Sequence, residues 1–206
     1  MAVQRHVVDH FNVGKRLFFQ DQVDDSVGHA GAIDRFFEHN RMELGYDVIL
    51  FLDVDCIPLS KKAIEHYLER AACGVLIGNI QRSNHIENDQ HVFAAPSALA
   101  ISVETYLKLG CPSAAATRRG DVVEELTFRA EERGVPVEMV LPSRFDRAPV
   151  DCESWALKDG MPVYGCGTTY TDPQLGDLFW HCFQIVSQQR FFRAKCIEVL
   201  RGVLNE

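Results

Sequence analysis

The chain has 206 residues, 47% of them hydrophobic and 24% charged, the balance of an ordinary globular α/β protein rather than a fibre, rod or disordered tail. Twenty-one Lys and Arg against 29 Asp and Glu leave a net charge of −8, which argues against a nucleic-acid binder, since that needs clustered cations. The longest strongly apolar run, Val48 to Leu52, is far too short for a transmembrane segment, and no secretory leader opens the chain.

Neither a repeat nor a low-complexity linker interrupts residues 1–206, so a single domain is expected. Seven cysteines, at 56, 73, 111, 152, 166, 182 and 196, include no Cys-x-x-Cys pair. Odd in number and irregular in spacing, they predict reduced, packed thiols and a cytoplasmic location.

In chain order, Lys15 to Phe19 reads as a short strand. Gly31 to Arg41 reads as a helix with Ile33, Phe36 and Phe37 on one side. The five apolar residues of Asp47-Val-Ile-Leu-Phe-Leu-Asp53 predict a central parallel strand buried on both faces. Ser60 then caps a helix from Lys61 to Ala72 with Ile64, Leu68 and Ala71 inward. Gly74 to Ile80 is a second buried strand, and His91 to Ala95 and Ala98 to Ser102 are short strands broken at Pro96. Asp121 to Arg133 reads as a helix closed by Gly134, followed by a strand from Val135 to Leu141. Leu157 to Thr171 reads as a loop crossing a site, and Gln188 to Leu204 as an amphipathic helix with Phe192, Cys196, Val199 and Val203 inward. The alternation predicts an α/β fold, a mixed and mostly parallel sheet flanked by helices.

Chemistry concentrates at Asp53-Val-Asp55, directly after the apolar strand. In open α/β sheets ligands bind beyond the carboxyl ends of strands. Two carboxylates separated by one residue reach one divalent cation or its water shell, and such a cation holds phosphate oxygens. The competing reading is a solvated turn with Asp as a cap. Asn79, Gln81, Arg82, Asn84 and His85 follow another buried strand; they suit sugar hydroxyls or an ordinary polar loop. Gly165-Cys-Gly167-Thr168-Thr-Tyr170 offers N–H groups and hydroxyls to phosphate or sugar, or is a flexible connection. Arg118 and Arg119 suit a diphosphate or a solvated turn. Asp121-Val-Val-Glu124 carries carboxylates fit for general-base work and is equally a capping box.

The stretch Tyr46-Asp-Val-Ile-Leu-Phe-Leu-Asp-Val-Asp-Cys-Ile-Pro-Leu-Ser60 resembles the Asp-x-Asp region of nucleotide-sugar-dependent glycosyltransferases of the GT-A fold, family-2-like. Further stretches fit in order over residues 15–185: His29-Ala-Gly-Ala-Ile-Asp34 before the strand, Gly120-Asp121-Val-Val-Glu124-Glu125-Leu126-Thr-Phe-Arg129, and Trp180-His181. The resemblance implies a Rossmann-like GT-A domain and transfer from a nucleoside-diphosphate sugar to a hydroxyl of a glycan, lipid or protein. Asp53, Asp55 and His181 would hold the metal, and the imidazole favours Mn²⁺ over Mg²⁺. His29, Asp34, Asp53, Asn79, Gln81, Arg82, Gly167 and Thr168 would face the donor. Asp121, then Glu125 and Glu124, are the candidate bases.

Two departures stand out. Where inverting members carry a Glu-Asp pair, this chain has Val122 and Val123. The first fourteen residues do not read as the buried strand that opens GT-A domains, which points to an abbreviated member. The runners-up are a GT-A-like binding module without turnover and a haloacid-dehalogenase-like phosphatase using Asp53. For the phosphatase, Ile57 and the lack of a downstream Asp-Asp pair count against the match.

Overall fold

The computed structural model describes residues 2–12, 14–15, 28–146 and 153–203. The order is α1 (Ala2–Phe11), α2 (Gly28–His39), a π-turn (Asn40–Leu44), β1 (Val48–Leu52), β2 (Cys56–Pro58), α3 (Lys61–Ala72), β3 (Leu76–Arg82), β4 (Val92–Ser102) and α4 (Val103–Lys108). Then follow α5 (Glu124–Glu132), β5 (Val137–Phe145), β6 (Ser154–Ala156), β7 (Val163–Gly165), β8 (Thr168–Asp172), β9 (Gly176–His181) and α6 (Ile185–Val203). The expected strand at Lys15 to Phe19 lies largely outside the described residues.

Seven strands form one mixed sheet in the order β1-β4-β3-β5-β8-β9-β2, and β6 and β7 form a separate ribbon. Only β3 and β5 pair in parallel; the other five pairings are antiparallel. The expectation of a mostly parallel sheet is therefore corrected. β1 and β2 stand at opposite ends of the strand order yet are joined by residues 53–55 alone, so the sheet curls towards a barrel.

The apolar run of β1 is packed on both sides, but only Ile49 is buried and the other four residues are half-buried, less than expected. Ile49 and Phe51 pack with Phe36 and Phe37 of α2, while Leu50 and Leu52 turn towards clusters that contain α3 residues. Its position, however, is terminal, and its neighbour β4 runs antiparallel. An unbroken apolar run reports two covered faces; it carries no information about the direction of the next strand.

Ser60 accepts the Ala63 amide hydrogen bond and opens α3 as expected. This helix lies inside the curl, with Ile64, Tyr67 and Ala71 buried; the Tyr67 ring meets Phe179 at 4.8 Å. On the other face α2 and α5 bury Ile33, Phe37, Leu126 and Ala130 against Leu76, Leu99 and Ile101. α1 and α6 close the β2–β9 end, where Val7 and Phe11 share a cluster with Trp180, Phe192 and Cys196. The described cysteines form no disulfide.

Three further expectations are corrected. Pro96 does not break β4, because it sits in a bulge: Gly78 pairs with Leu99 and Asn79 with Ala95, so β4 carries the extra residues. The helix expected from Asp121 begins at Glu124, after Val123 in a left-handed conformation. The supposed loop Leu157 to Thr171 contains β7 and most of β8. No helix among the described residues is long and apolar enough to cross a membrane.

Candidate metal centre

Three elements converge on the turn between β1 and β2. The β4 bulge directs the Ser97 carbonyl at the Asp53 amide, which donates to it at 3.2 Å. From α1, the Gln4 side-chain amide donates to the carbonyls of Asp53 (2.6 Å) and Cys56 (2.8 Å). On the far side β9 pairs Cys56 with His181, and the Cys182 amide donates to the Asp55 carbonyl at 2.8 Å. Both backbone ends of the Asp-x-Asp turn are thus fixed, leaving the carboxylates to vary only by side-chain rotation.

The ligand atoms of Asp53, Asp55 and His181 lie within 4.8 Å of one another, and His181 Nε2 is 3.1 Å from Asp55 Oδ1. Ligands about 2.1 Å from one hard cation sit roughly 3 to 4.2 Å apart, so modest closure suffices. Two carboxylates and an imidazole match Mn²⁺ or another borderline divalent ion better than the all-oxygen shell Mg²⁺ prefers. His181 is nearly buried and its Nδ1 has no hydrogen-bond partner. The cluster is thus strongly acidic on one side and unsatisfied on the other.

His29 Nε2 meets Asp53 Oδ1 at 2.9 Å. That hydrogen bond raises the His29 pKa above 6.5 against an opposing effect of burial, and the charges of Asp53, Asp55 and Asp121 add to the rise. Asp121 belongs to the same electrostatic field. Its carboxylate is about a third exposed, accepts the Val122 amide at 2.7 Å and stands 3.9 Å from His85 Nε2.

Other expected residues have different placements. Asn79 is fully buried below the turn, where it accepts from Tyr67 Oη at 2.8 Å and donates to Ser97 Oγ at 3.2 Å. Gln81 donates to the same hydroxyl at 3.1 Å. Both support the bulge that holds Asp53. Arg82 is half-buried with Nε unpartnered, and its backbone carbonyl accepts from Tyr164 Oη at 2.8 Å. Asp34 lies outside the cluster: it accepts from Ser113 Oγ (2.6 Å) and the Ala114 amide (2.7 Å), tying α2 to the segment after α4.

Gly167 lies in the two-residue turn between β7 and β8, and Thr168 opens β8. A Cβ on Gly167 would stand 2.8 Å from the Asp146 carbonyl, and buried Thr168 hydrogen-bonds both the N–H and the carbonyl of Gly165. Thr168 also pairs with His181 in the β8–β9 register, supporting the strand that delivers the imidazole.

Glu124 is completely buried and accepts from the Asp121 amide (2.7 Å) and Asn88 Nδ2 (2.8 Å), while His91 Nδ1 lies at 2.7 Å. The first of these bonds ties Glu124 back to Asp121 across the turn before α5, but the N-cap is Val123 without a side-chain cap, so the capping box that the spacing allowed is not formed. Glu125 is chelated by Arg119 at 2.6 and 3.0 Å and approached by Arg129 at 3.0 Å; the Arg119 hydrogen bond holds its carboxyl below the usual range. Of the three candidate bases, Asp121 alone is neither enclosed in the protein nor chelated by arginine, and its charge adds to the rise of the His29 pKa.

The sequence reading missed Gln4. The signal was present: Val3, Val7, Val8 and Phe11 give the first residues an amphipathic helical period, which places Gln4 beside a buried face. No protein-family model, curated protein or solved structure matches the chain.

Proposed function

We propose that this protein is a metal-dependent glycosyltransferase of GT-A type that moves a sugar from a nucleoside-diphosphate donor to an acceptor hydroxyl. The observation that carries the reading is the convergence of Asp53, Asp55 and His181 at the end of a strand covered on both faces. In this reading the three side chains hold Mn²⁺ or Mg²⁺, and the bound cation offsets the charge that develops on the departing diphosphate.

The protein's own residues supply the rest. Gln4, Ser97 and Cys182 hold the turn rigid, so the carboxylates are set before the donor arrives. His29 hydrogen-bonds Asp53, and that bond raises the His29 pKa. Asp121 takes the proton of the acceptor hydroxyl as the acceptor oxygen bonds the anomeric carbon and the sugar–diphosphate bond breaks.

A second reading, a binding module without turnover, draws on Val123. It occupies one of the two positions where inverting enzymes carry an acidic pair, and it is fully buried. A thermal-shift panel of UDP, GDP, CMP and their sugars with Mn²⁺, Mg²⁺ or EDTA tests the common part of both readings, because a ligand selective for the folded state raises its apparent stability. A shift requiring one nucleotide together with metal supports the site. Donor hydrolysis or transfer then separates the enzyme from the module, whereas no shift with any pair contradicts both.

A further inference from the structure

Directly after His181 lies a pair of side chains that the cation site does not use. The Cys166 and Cys182 sulfurs stand 3.6 Å apart, in a thiol–thiol contact in which either can donate. Both side chains are completely buried. Cys166 is in the turn between β7 and β8, and Cys182 follows the last residue of β9. Thr168 pairs with His181, so the two cysteines sit on neighbouring segments at the end of one antiparallel ladder. Adjacent strands run about 4.8 Å apart, inside the Cα separation that a disulfide spans. Closing the sulfurs to a bond therefore takes side-chain rotation rather than a rearranged backbone.

The two sulfurs share an apolar cluster with Val7, Ile57, Trp180 and Phe192. An isolated thiol in such surroundings is inert. Two in contact differ, because the second is already in place to capture the first once it is oxidised.

The cover over the pair is α6. An added Cβ on Gly167 would stand 3.0 Å from the Phe191 ring, and Phe191 and Phe192 pack on Trp180 at 5.5 and 6.0 Å. The helix joins β9 through Gln184 in a left-handed conformation at φ 63°, and Gln188 at φ −110° interrupts its first turns. A cover with a strained joint and an interrupted start opens locally at less cost than the sheet beneath it. Opening there admits a small peroxide to the sulfurs.

We propose that Cys166 and Cys182 form a redox-active dithiol that hydrogen peroxide oxidises to an intramolecular disulfide. One thiol takes an oxygen from the peroxide, giving a sulfenic acid and one water. The other sulfur then bonds to it and the hydroxyl leaves as a second water, so two thiols and one peroxide yield one disulfide and two waters. The bond ties the end of β9 to the β7–β8 turn, beside His181 and the Cys182 amide that holds the Asp55 carbonyl. The oxidation requires neither metal nor donor and stands apart from the transferase reading.

The test treats the reduced, folded full chain with hydrogen peroxide in EDTA, then unfolds it in N-ethylmaleimide to block remaining thiols. Chymotryptic peptides are mapped without reduction, since cuts after Tyr164, Tyr170, Trp180 and Phe183 separate the two sulfurs. The expected product has lost two hydrogens and links the peptide 165–170 to 181–183, at least about fivefold above any other cysteine pair. It should melt higher than the reduced chain, because a cross-link restricts the unfolded state, and dithiothreitol should reverse both changes. Cys166→Ala and Cys182→Ala should each abolish the product, whereas Cys73→Ala, at an exposed thiol, should keep it. The parent chain alone decides the matter if either core substitution fails to fold. Both thiols captured by N-ethylmaleimide, a bridge from either sulfur to another cysteine, irreversible oxidation of either, or a lower melting temperature after oxidation would overturn the proposal.

Discussion

Two acidic regions of the molecule, the glutamates of α5 and the aspartates of the β1–β2 turn, are opposite in state. Along α5, Glu124, Glu125 and Glu132 are matched by His91, Arg119 and Arg129 at 2.6–3.2 Å. At the β1–β2 turn, the carboxylates of Asp53 and Asp55 meet only His29 and His181 among the described residues, and an imidazole carries no permanent charge. Carboxylates with fixed cations are architecture. Carboxylates held rigidly by their backbone but paired only with imidazoles are poised for a cation from solution. That difference, rather than the count of acidic residues, marks the candidate cation site.

The contrast can be broken most severely at its functional end. Asp55→Ala should reduce Mn²⁺ affinity by roughly 100-fold or more, beyond the loss typical of outer-shell partners. Its thermal stability in EDTA should stay close to that of the parent, because the carboxylate has no fixed cationic partner. Titration calorimetry and a melting curve check the two halves. The opposite profile is expected for Glu124→Ala: stability falls by about 3 kcal/mol, since a buried group with three partners is lost and those donors are left unmatched. Urea unfolding reads this directly.

A smaller effect is expected at the solvent side. Arg119 is 42% exposed, so Arg119→Ala should cost up to about 1 kcal/mol despite its ideal geometry, and the cost should shrink in high salt. Melting at low and high ionic strength distinguishes this from a buried contribution.

The mildest test is pH. Burial pushes the His91 pKa down, but Glu124 and Glu131 outweigh it, leaving the pKa above 6.5 in the folded state. The corresponding stability is complete below the unfolded value and disappears as pH rises through the folded one. Stability should therefore decline as pH rises above the ordinary histidine value of 6.5, and His91→Gln should flatten that segment of the profile.

The sequence made the two regions unequally legible. Asp53 and Asp55 stood out because an apolar strand leads into them, and the structure places them where that strand ends. His181 followed from resemblance alone; what brings it to Asp55 is the pairing of β9 with the three-residue β2, too short to announce itself. The Asp121–Glu124 spacing allowed both capping and catalysis; the helix starts too late for Asp121 to cap it, Glu124 is buried against Asn88 and His91, and Asp121 stays about a third exposed. Strand direction was illegible, because apolar patterning records which faces are covered and not which way the neighbour runs. Pro96 misled for a related reason. A bulge accommodates the missing N–H, and the same bulge supplies the Ser97 contacts that hold Asp53.

The central claim is that the β1–β2 turn binds one divalent cation that in turn holds a diphosphate. Electron paramagnetic resonance of Mn²⁺ titrated into the protein, with and without UDP or GDP, tests it most directly. The account predicts one bound ion per chain through Asp53, Asp55 and His181, tightened by one of the nucleotides, and abolished in Asp55→Ala. Free Mn²⁺ signal undiminished by the protein, or binding equal in the parent and Asp55→Ala, would contradict it.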